Sequence, residues 1–159
     1  MDHKRSIVTK IRELTITLIF SLFLIGLVCN FRGSVIVNGQ SMYPAFENGQ
    51  AVKYKKQDVF YGGDVIIFWI KDGNVRENLI KRVIAVGGDT IRCEDGKVYV
   101  NNALIEETYL SDTTVTEDFD AVTVAEGEYF VMGDNRQNSK DSRMFGCINQ
   151  KQIRGKVEE

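Results

Sequence analysis

Leu79-Ile80-Lys81-Arg82-Val83-Ile84-Ala85-Val86 is an apolar, β-branched run interrupted by two adjacent cations. Such a run reads as a strand buried in a sheet. Side chains alternate across a strand, so Lys81 and Val83 share one face while Arg82 and Ile84 share the other. One of the two cations is therefore expected to be partly buried. The stretch does not stand alone. Val35-Ile36-Val37, Ala51 to Tyr54, Asp64 to Ile70, Lys97 to Val100 and Glu128 to Met132 have the same β-type character. Turn signals separate them at Asn48-Gly49, Gly62-Gly63, Asp72-Gly73, Gly87-Gly88, Asp95-Gly96 and Gly133-Asp134-Asn135. This spacing predicts a mostly β domain. Glu106 to Ala125, polar and rich in Thr and Asp, reads as a loop or hairpin.

Ahead of that domain lies Leu14 to Cys29, uncharged throughout and preceded by Lys4, Arg5, Lys10 and Arg12. A bilayer needs about 20 apolar residues, and Asn30 and Phe31 extend the run into the interface. A cleaved secretory leader is the competing reading. The flanks favour an anchor, because no small-x-small pair closely follows the run and Val28 precedes Cys29 where a lipoprotein site needs a small residue. The expected organisation is a cytoplasmic basic tail at 1–13, a transmembrane anchor at 14–31 and an extracytoplasmic β domain at 32–159. Basic residues stay on the cytoplasmic side, which gives a single-pass protein of the cell membrane with its lipid bilayer as one partner.

Composition excludes several chemistries. The 159 residues carry a net charge of −2 with no basic stripe, so no nucleic-acid partner is expected. Three cysteines, Cys29, Cys93 and Cys147, are too few and too scattered for a zinc site or a disulfide framework, although Cys93 and Cys147 could pair. The one histidine is His3, so a histidine base is missing from the β domain. No metal and no cofactor are expected.

Three segments remain that could carry chemistry. Gly39-Gln40-Ser41-Met42-Tyr43-Pro44 follows a β-type run and contains the chain's one proline, which restrains the backbone near Ser41. Lys81 is the second. Desolvation can lower a lysine pKa from about 10.4 by up to about 3–5 units, enough to supply a neutral amine that deprotonates a serine. The third is Gly133-Asp134-Asn135-Arg136-Gln137-Asn138-Ser139-Lys140-Asp141-Ser142-Arg143, dense in short polar side chains. Taken singly, the three would read as a turn, a strand with snorkelling cations and a hydrogen-bonded surface loop.

Together, and in this order, they resemble type I signal peptidase, also called leader peptidase, of peptidase family S26 in its Gram-positive-type form. Ser41-Met42-Tyr43-Pro44 matches the nucleophile box and Gly63 to Phe68 a structural strand. Ile80 to Val83 matches the lysine box, and Gly133 to Arg143 the last motif. The resemblance implies a coiled β-sheet catalytic domain shared with self-cleaving SOS-type repressors. Its activity would be membrane-bound serine endopeptidase cleavage of signal peptides from exported preproteins, after small-x-small sites. Ser41 would be the nucleophile and Lys81 its base. Ser139 would hydrogen-bond the Lys81 amine, Asp141 and Arg143 would form a supporting ion pair, and Val37, Met42, Phe46, Leu79 and Ile80 would shape the substrate pockets. Gly39 stands where some members place a hydroxyl residue, so oxyanion stabilisation would rest on backbone N–H groups near Ser41. A membrane-tethered β domain that binds peptides or assists pilus assembly without catalysis is the alternative.

Overall fold

The computed structural model describes residues 2–29, 32–73 and 75–158, and divides the chain into two compact units, Met1–Arg32 and Gly33–Glu159. The first unit carries α1 (Asp2–Cys29), so the basic residues expected as a tail belong to the same helix as the apolar run. Leu14, Ile16, Phe20, Leu22, Phe23 and Ile25 are 58–77% exposed on it. Apolar side chains occupy every side of this stretch rather than one stripe, the mark of a helix built for an apolar surrounding. Among the described residues no helix is long and apolar enough to cross a membrane. At about 1.5 Å per residue, 14–26 covers about 20 Å, against a hydrocarbon layer of about 30 Å. The extension through Asn30 and Phe31 lies outside the described residues.

The second unit is mostly β, as the sequence predicts. Its strands are β1 (Arg32–Ile36), β2 (Ala51–Lys55), β3 (Val65–Asp72), β4 (Val75–Val86), β5 (Thr90–Glu94), β6 (Lys97–Val100), β7 (Ala103–Leu104), β8 (Phe119–Thr123), β9 (Glu128–Met132), β10 (Ile148–Asn149) and β11 (Ile153–Val157). They form a seven-stranded sheet in the order β1-β2-β11-β3-β4-β9-β10 and a four-stranded sheet in the order β7-β6-β5-β8. A single-turn helix, α2 (Ser142–Phe145), packs near β9.

Strand β3 shows why its sequence is apolar without alternation. Val65 and Ile67 enter a cluster with Val37, Met42, Phe46, Val52 and Ile80, whereas Ile66, Phe68 and Ile70 enter another with Phe60, Val83, Val131 and Ile148. Both faces of the sheet are covered here. The same cover decides the fate of the two cations. Lys81 pairs across from Ile66 and Arg82 from Val65, and both side chains are buried, at 2% and 6% exposure. The expectation of one buried cation is corrected, since a strand enclosed on both faces has no solvated side to alternate towards.

Arg82 is paid for by a partner. It donates from Nε to Asp134 Oδ1 at 2.9 Å and from a terminal nitrogen to Asp134 Oδ2 at 2.7 Å, in a bidentate fork. A third bond reaches the Gly63 carbonyl at 2.8 Å, and the Tyr109 ring lies 4.1 Å from the guanidinium. Tyr109 donates to Glu107, which in turn pairs with the buried Arg136. The segment read as a loop or hairpin, 106–125, thus closes over two buried arginines before it pairs β8 with β5. Asp134→Ala should lower stability by about 3–5 kcal/mol, because it strands the Arg82 charge in the interior. Arg82→Met combined with Asp134→Ala should cost less than the two single changes summed. A double-mutant cycle in urea measures this, and strict additivity would mean that the pair is not coupled.

Candidate active site

The turn that carries Ser41 begins where β1 ends. Val37 packs in the core, Gly39 adopts φ +89° and donates its N–H to Asn48 Oδ1 at 2.8 Å, and the chain then turns back on itself with Tyr43 N bonded to Gln40 O. That φ is open to glycine and strained for most other residues. Ser41 emerges half-buried at the top of the turn, beside the fully buried Met42. Among the described residues, none accepts from the Ser41 N–H.

Strand β4 brings Lys81 to the same place. Its Nζ donates to Ser41 Oγ at 2.7 Å and to the Ile80 carbonyl at 2.9 Å. Burial lowers the pKa of this amine from 10.5 to about 8, although the charges of Asp141, Glu77 and Asp134 each pull it upward. Desolvation wins because those carboxylates are largely committed elsewhere. Asp134 holds Arg82, and Asp141 is ion-paired to Arg143 at 2.8 Å. Burial pushes the Asp141 carboxyl upward, but the hydrogen bonds from Arg143 and from the Gly133 N–H outweigh it, and its pKa is lowered.

The segment 133–143 wraps this pair. Asp141 Oδ2 accepts from Gly133 N at 3.0 Å, Arg143 donates to the Arg136 carbonyl at 2.7 Å, and Arg136 Nε donates to the Gly133 carbonyl at 3.1 Å. Gly133 must be glycine for reasons of space. A Cβ there would collide with Ser139 Oγ and with the Ser41 carbonyl. Ser139 itself differs from expectation. Its Oγ is buried and does not bond the Lys81 amine, which is held by Ile80 O instead; the hydroxyl lies beside Asp141 and helps to keep that carboxyl ionised.

A cleft of about 80 Å³ opens next to the Ser41–Lys81 pair. Val35, Ile36, Val37 and Asn38 line one side and Asn78, Leu79 and Ile80 the other, with Ile67 between them in the lining. Val37, Leu79 and Ile80 of the expected pocket residues are there. Met42 and Phe46 are not among the lining residues and are buried in the apolar cluster that contains Val37, Ile67 and Ile80. The sequence reading missed Val35, Ile36, Asn38, Ile67 and Asn78. Strand position would have found Val35 and Ile36 on β1, Ile67 on β3 and Asn78 on β4, whereas Asn38 lies past the end of β1, and hydrophobicity alone singles out none of the five. Cys93 and Cys147 are both free thiols. Among the described residues no cluster of histidine, cysteine or carboxylate side chains could hold a metal ion.

Comparison with known proteins places this geometry. The family model described as signal peptidase, peptidase S26, matches residues 9–159. Signal peptidase I of Bacillus licheniformis is 37% identical over 134 residues, covering 76% of this chain and 71% of its own length. Signal peptidase I S of Bacillus subtilis is 32% identical, covering 98% of this chain and 89% of its own length. Among solved structures, a crystal structure of a signal peptidase I from Enterococcus faecalis superposes with a TM-score of 0.54 at 31% identity, over 63% of this chain and 97% of that one. With the match running through β1, β4 and the loop that wraps Ser41 and Lys81, the chain belongs to the signal peptidase family, peptidase S26.

Proposed function

We propose that this serine endopeptidase cleaves signal peptides with Ser41 as nucleophile and Lys81 as general base. The observation that carries the reading is the 2.7 Å approach of the buried Lys81 Nζ to Ser41 Oγ at the edge of the cleft. A protonated amine donates across that contact. When Lys81 is neutral the bond reverses, the hydroxyl donates, and Nζ can take the proton as Oγ attacks the scissile carbonyl. The resulting lysinium returns a proton to the leaving amine. Water then attacks the acyl-enzyme with Lys81 again as base. Serine–lysine pairs need no histidine, and the one histidine of this chain lies at position 3.

The developing oxyanion requires donors in place before the reaction. The Ser41 N–H, which has no acceptor among the described residues, supplies one. Asp141 and Arg143 support the loop around the pair. Ser139 is assigned a role in holding the charged amine. Its buried hydroxyl can donate to Asp141 and accept from the amine, and a lysinium released from Ser41 by acylation needs an acceptor.

Substrate fits as a strand. β9 pairs with β4 from Arg82 onward, so among the described pairings the stretch from Glu77 to Ile80 has β3 on one side and an open edge on the other. An extended preprotein segment can pair there and send alternate side chains inward. The small cleft favours alanine-sized residues at the first and third positions before the cut. The apolar side chains exposed all round α1 favour residues 14–31 as a bilayer anchor, with 1–13 cytoplasmic and 32–159 extracytoplasmic.

Four outcomes are expected. In single-turnover assays on a preprotein, Ser41→Ala and Lys81→Arg should both lose at least about a thousandfold, since arginine keeps the charge but cannot accept a proton. Activity of the wild type should rise with pH through a limb near 8, the pKa to which burial lowers Lys81. A folded Lys81→Arg enzyme with substantial turnover would end the general-base reading. Phenylalanine in place of alanine before the cut should abolish cleavage at that bond, and efficient processing there would remove the cleft assignment. Protease added to intact spheroplasts should digest the β domain. Protection of that domain, with an external control digested, would reverse the topology.

A further inference from the structure

The turn that presents Ser41 is held by a residue 95 positions away from Gln40 in sequence. Asn135 donates its backbone N–H to the Ser41 carbonyl at 3.0 Å and its side-chain Nδ2 to the Gln40 carbonyl at 3.1 Å. Asn135 thus bonds two consecutive peptide groups of the Ser41 turn, sharing the Gln40 carbonyl with the Tyr43 N–H that closes the turn. Asn135 is shaped for this. It sits at φ −84°, ψ 80°, at the centre of an inverse γ-turn closed by Arg136 N to Asp134 O at 3.1 Å. It also occupies the N-cap position of the 3₁₀ turn Arg136–Asn138, where an asparagine ordinarily accepts a hydrogen bond from its own helix. Its side chain makes no such cap and points its amide across to Gln40 instead.

The consequence is geometric. In a trans peptide the C=O and N–H lie in one plane and point in opposite directions. The Gln40–Ser41 bond is trans, the Tyr43–Pro44 bond being the one cis peptide recorded. Fixing the Gln40 carbonyl therefore fixes the direction of the Ser41 N–H on the far side of the same plane. That N–H has no acceptor among the described residues, so nothing on its own side sets its aim. We propose that the Asn135 carboxamide is a positioning residue that aims the Ser41 N–H at the reacting carbonyl oxygen, acting through the peptide plane without touching substrate. The proposal rests on the Ser41–Lys81 reading given above.

The effect should fall on the transition state. A misdirected donor leaves peptide binding and the Lys81 amine as they were, yet weakens stabilisation of the oxyanion. Outright loss of such a donor costs about 10²–10³ in kcat, so a donor free to wander should cost somewhat less, about 10–100-fold.

The test assays Asn135→Ala and Asn135→Asp beside Ser41→Ala and Lys81→Arg in the full-length, detergent-solubilised enzyme. Asn135→Asp keeps the shape but sets a carboxylate oxygen against the Gln40 carbonyl. Four quantities are read: kcat and KM on a signal-peptide substrate, the position of the acidic pH limb, inhibition by a peptide aldehyde, and thermal unfolding. The aldehyde reports the oxyanion site directly. Ser41 Oγ adds to its carbon, and the hydroxyl proton ends on the new hemiacetal oxygen, the atom that the Ser41 N–H faces. Expected are a kcat lower by about 10–100-fold, KM within about threefold, an unmoved limb and aldehyde affinity weakened by a factor similar to kcat. Wild-type kcat in either folded variant overturns the proposal. So does a shifted limb, which would place the effect on Lys81, or a rise in KM matching the fall in kcat/KM. Loss of cooperative unfolding in both variants overturns it too, by making Asn135 a requirement of the fold. If Lys81→Arg or Ser41→Ala retains turnover, the dyad reading itself has failed. If those two are dead and the Asn135 variants keep the wild-type kcat, this inference alone has failed.

Discussion

The site depends on the desolvation of one amine. Lys81 lies in the middle of a strand that has apolar clusters on both faces of its sheet, and a charged ammonium is costly there. The favourable way out is to bind its proton less tightly, and its pKa falls to about 8. This has a price in stability with a definite pH window. The unfolded lysine titrates near 10.5 and the folded one near 8, so between these values the unfolded state holds more protons. Stability contributed by this group is full above about 10.5, declines as pH falls through the window, and is gone below about 8.

The neighbouring cation shows the other solution to the same constraint. Arg82 cannot give up its proton, so it is matched by the bidentate Asp134, the Gly63 carbonyl and the Tyr109 ring. Asp134 and Asp141 both lie within reach of the Lys81 field, yet each is occupied by an arginine. The loop from Gly133 to Arg143 therefore does two things at once. It satisfies buried charge, and it keeps carboxylates from restoring the lysine pKa. Its first residues also carry the backbone contacts to the Ser41 turn, so charge matching and the placement of Ser41 are built from one segment.

Strands were legible where the side-chain pattern was decisive. Lys97 to Val100 and Glu128 to Met132 have the bounds expected, and β2, β3 and β4 differ from expectation at their ends. The missed strands have mixed patterns. In β5 (Thr90–Glu94) an arginine and a glutamate flank Cys93, and in β11 (Ile153–Val157) Arg154, Gly155 and Lys156 hide a strand that lies inside the large sheet between β2 and β3. Long-range pairing made β11, which no local signal announces, whereas β5 folds back on β6 across the Asp95-Gly96 turn, a hairpin that its mixed side-chain pattern obscured. The resemblance carried by the motifs brought Ser41, Lys81, Asp141 and Arg143 into one site. It also put Ser139 on the Lys81 amine, a bond absent from the resting structure, and it misled at Met42 and Phe46, where an apolar residue near Ser41 can as well be core as pocket.

The most direct test of the account is the titration of Lys81 itself. Two-dimensional NMR of protein labelled with ¹³C at lysine Cε, with the Lys81 signal assigned by its absence in Lys81→Arg, follows the amine through its own protonation in resting enzyme. The account predicts a midpoint near 8, well apart from the surface lysines, and a shift of that midpoint on Asp141→Asn to still lower pH, because the Asp141 charge raises it. A Lys81 midpoint at about 10.4, in line with a solvated lysine, would contradict the claim that burial makes this amine a base.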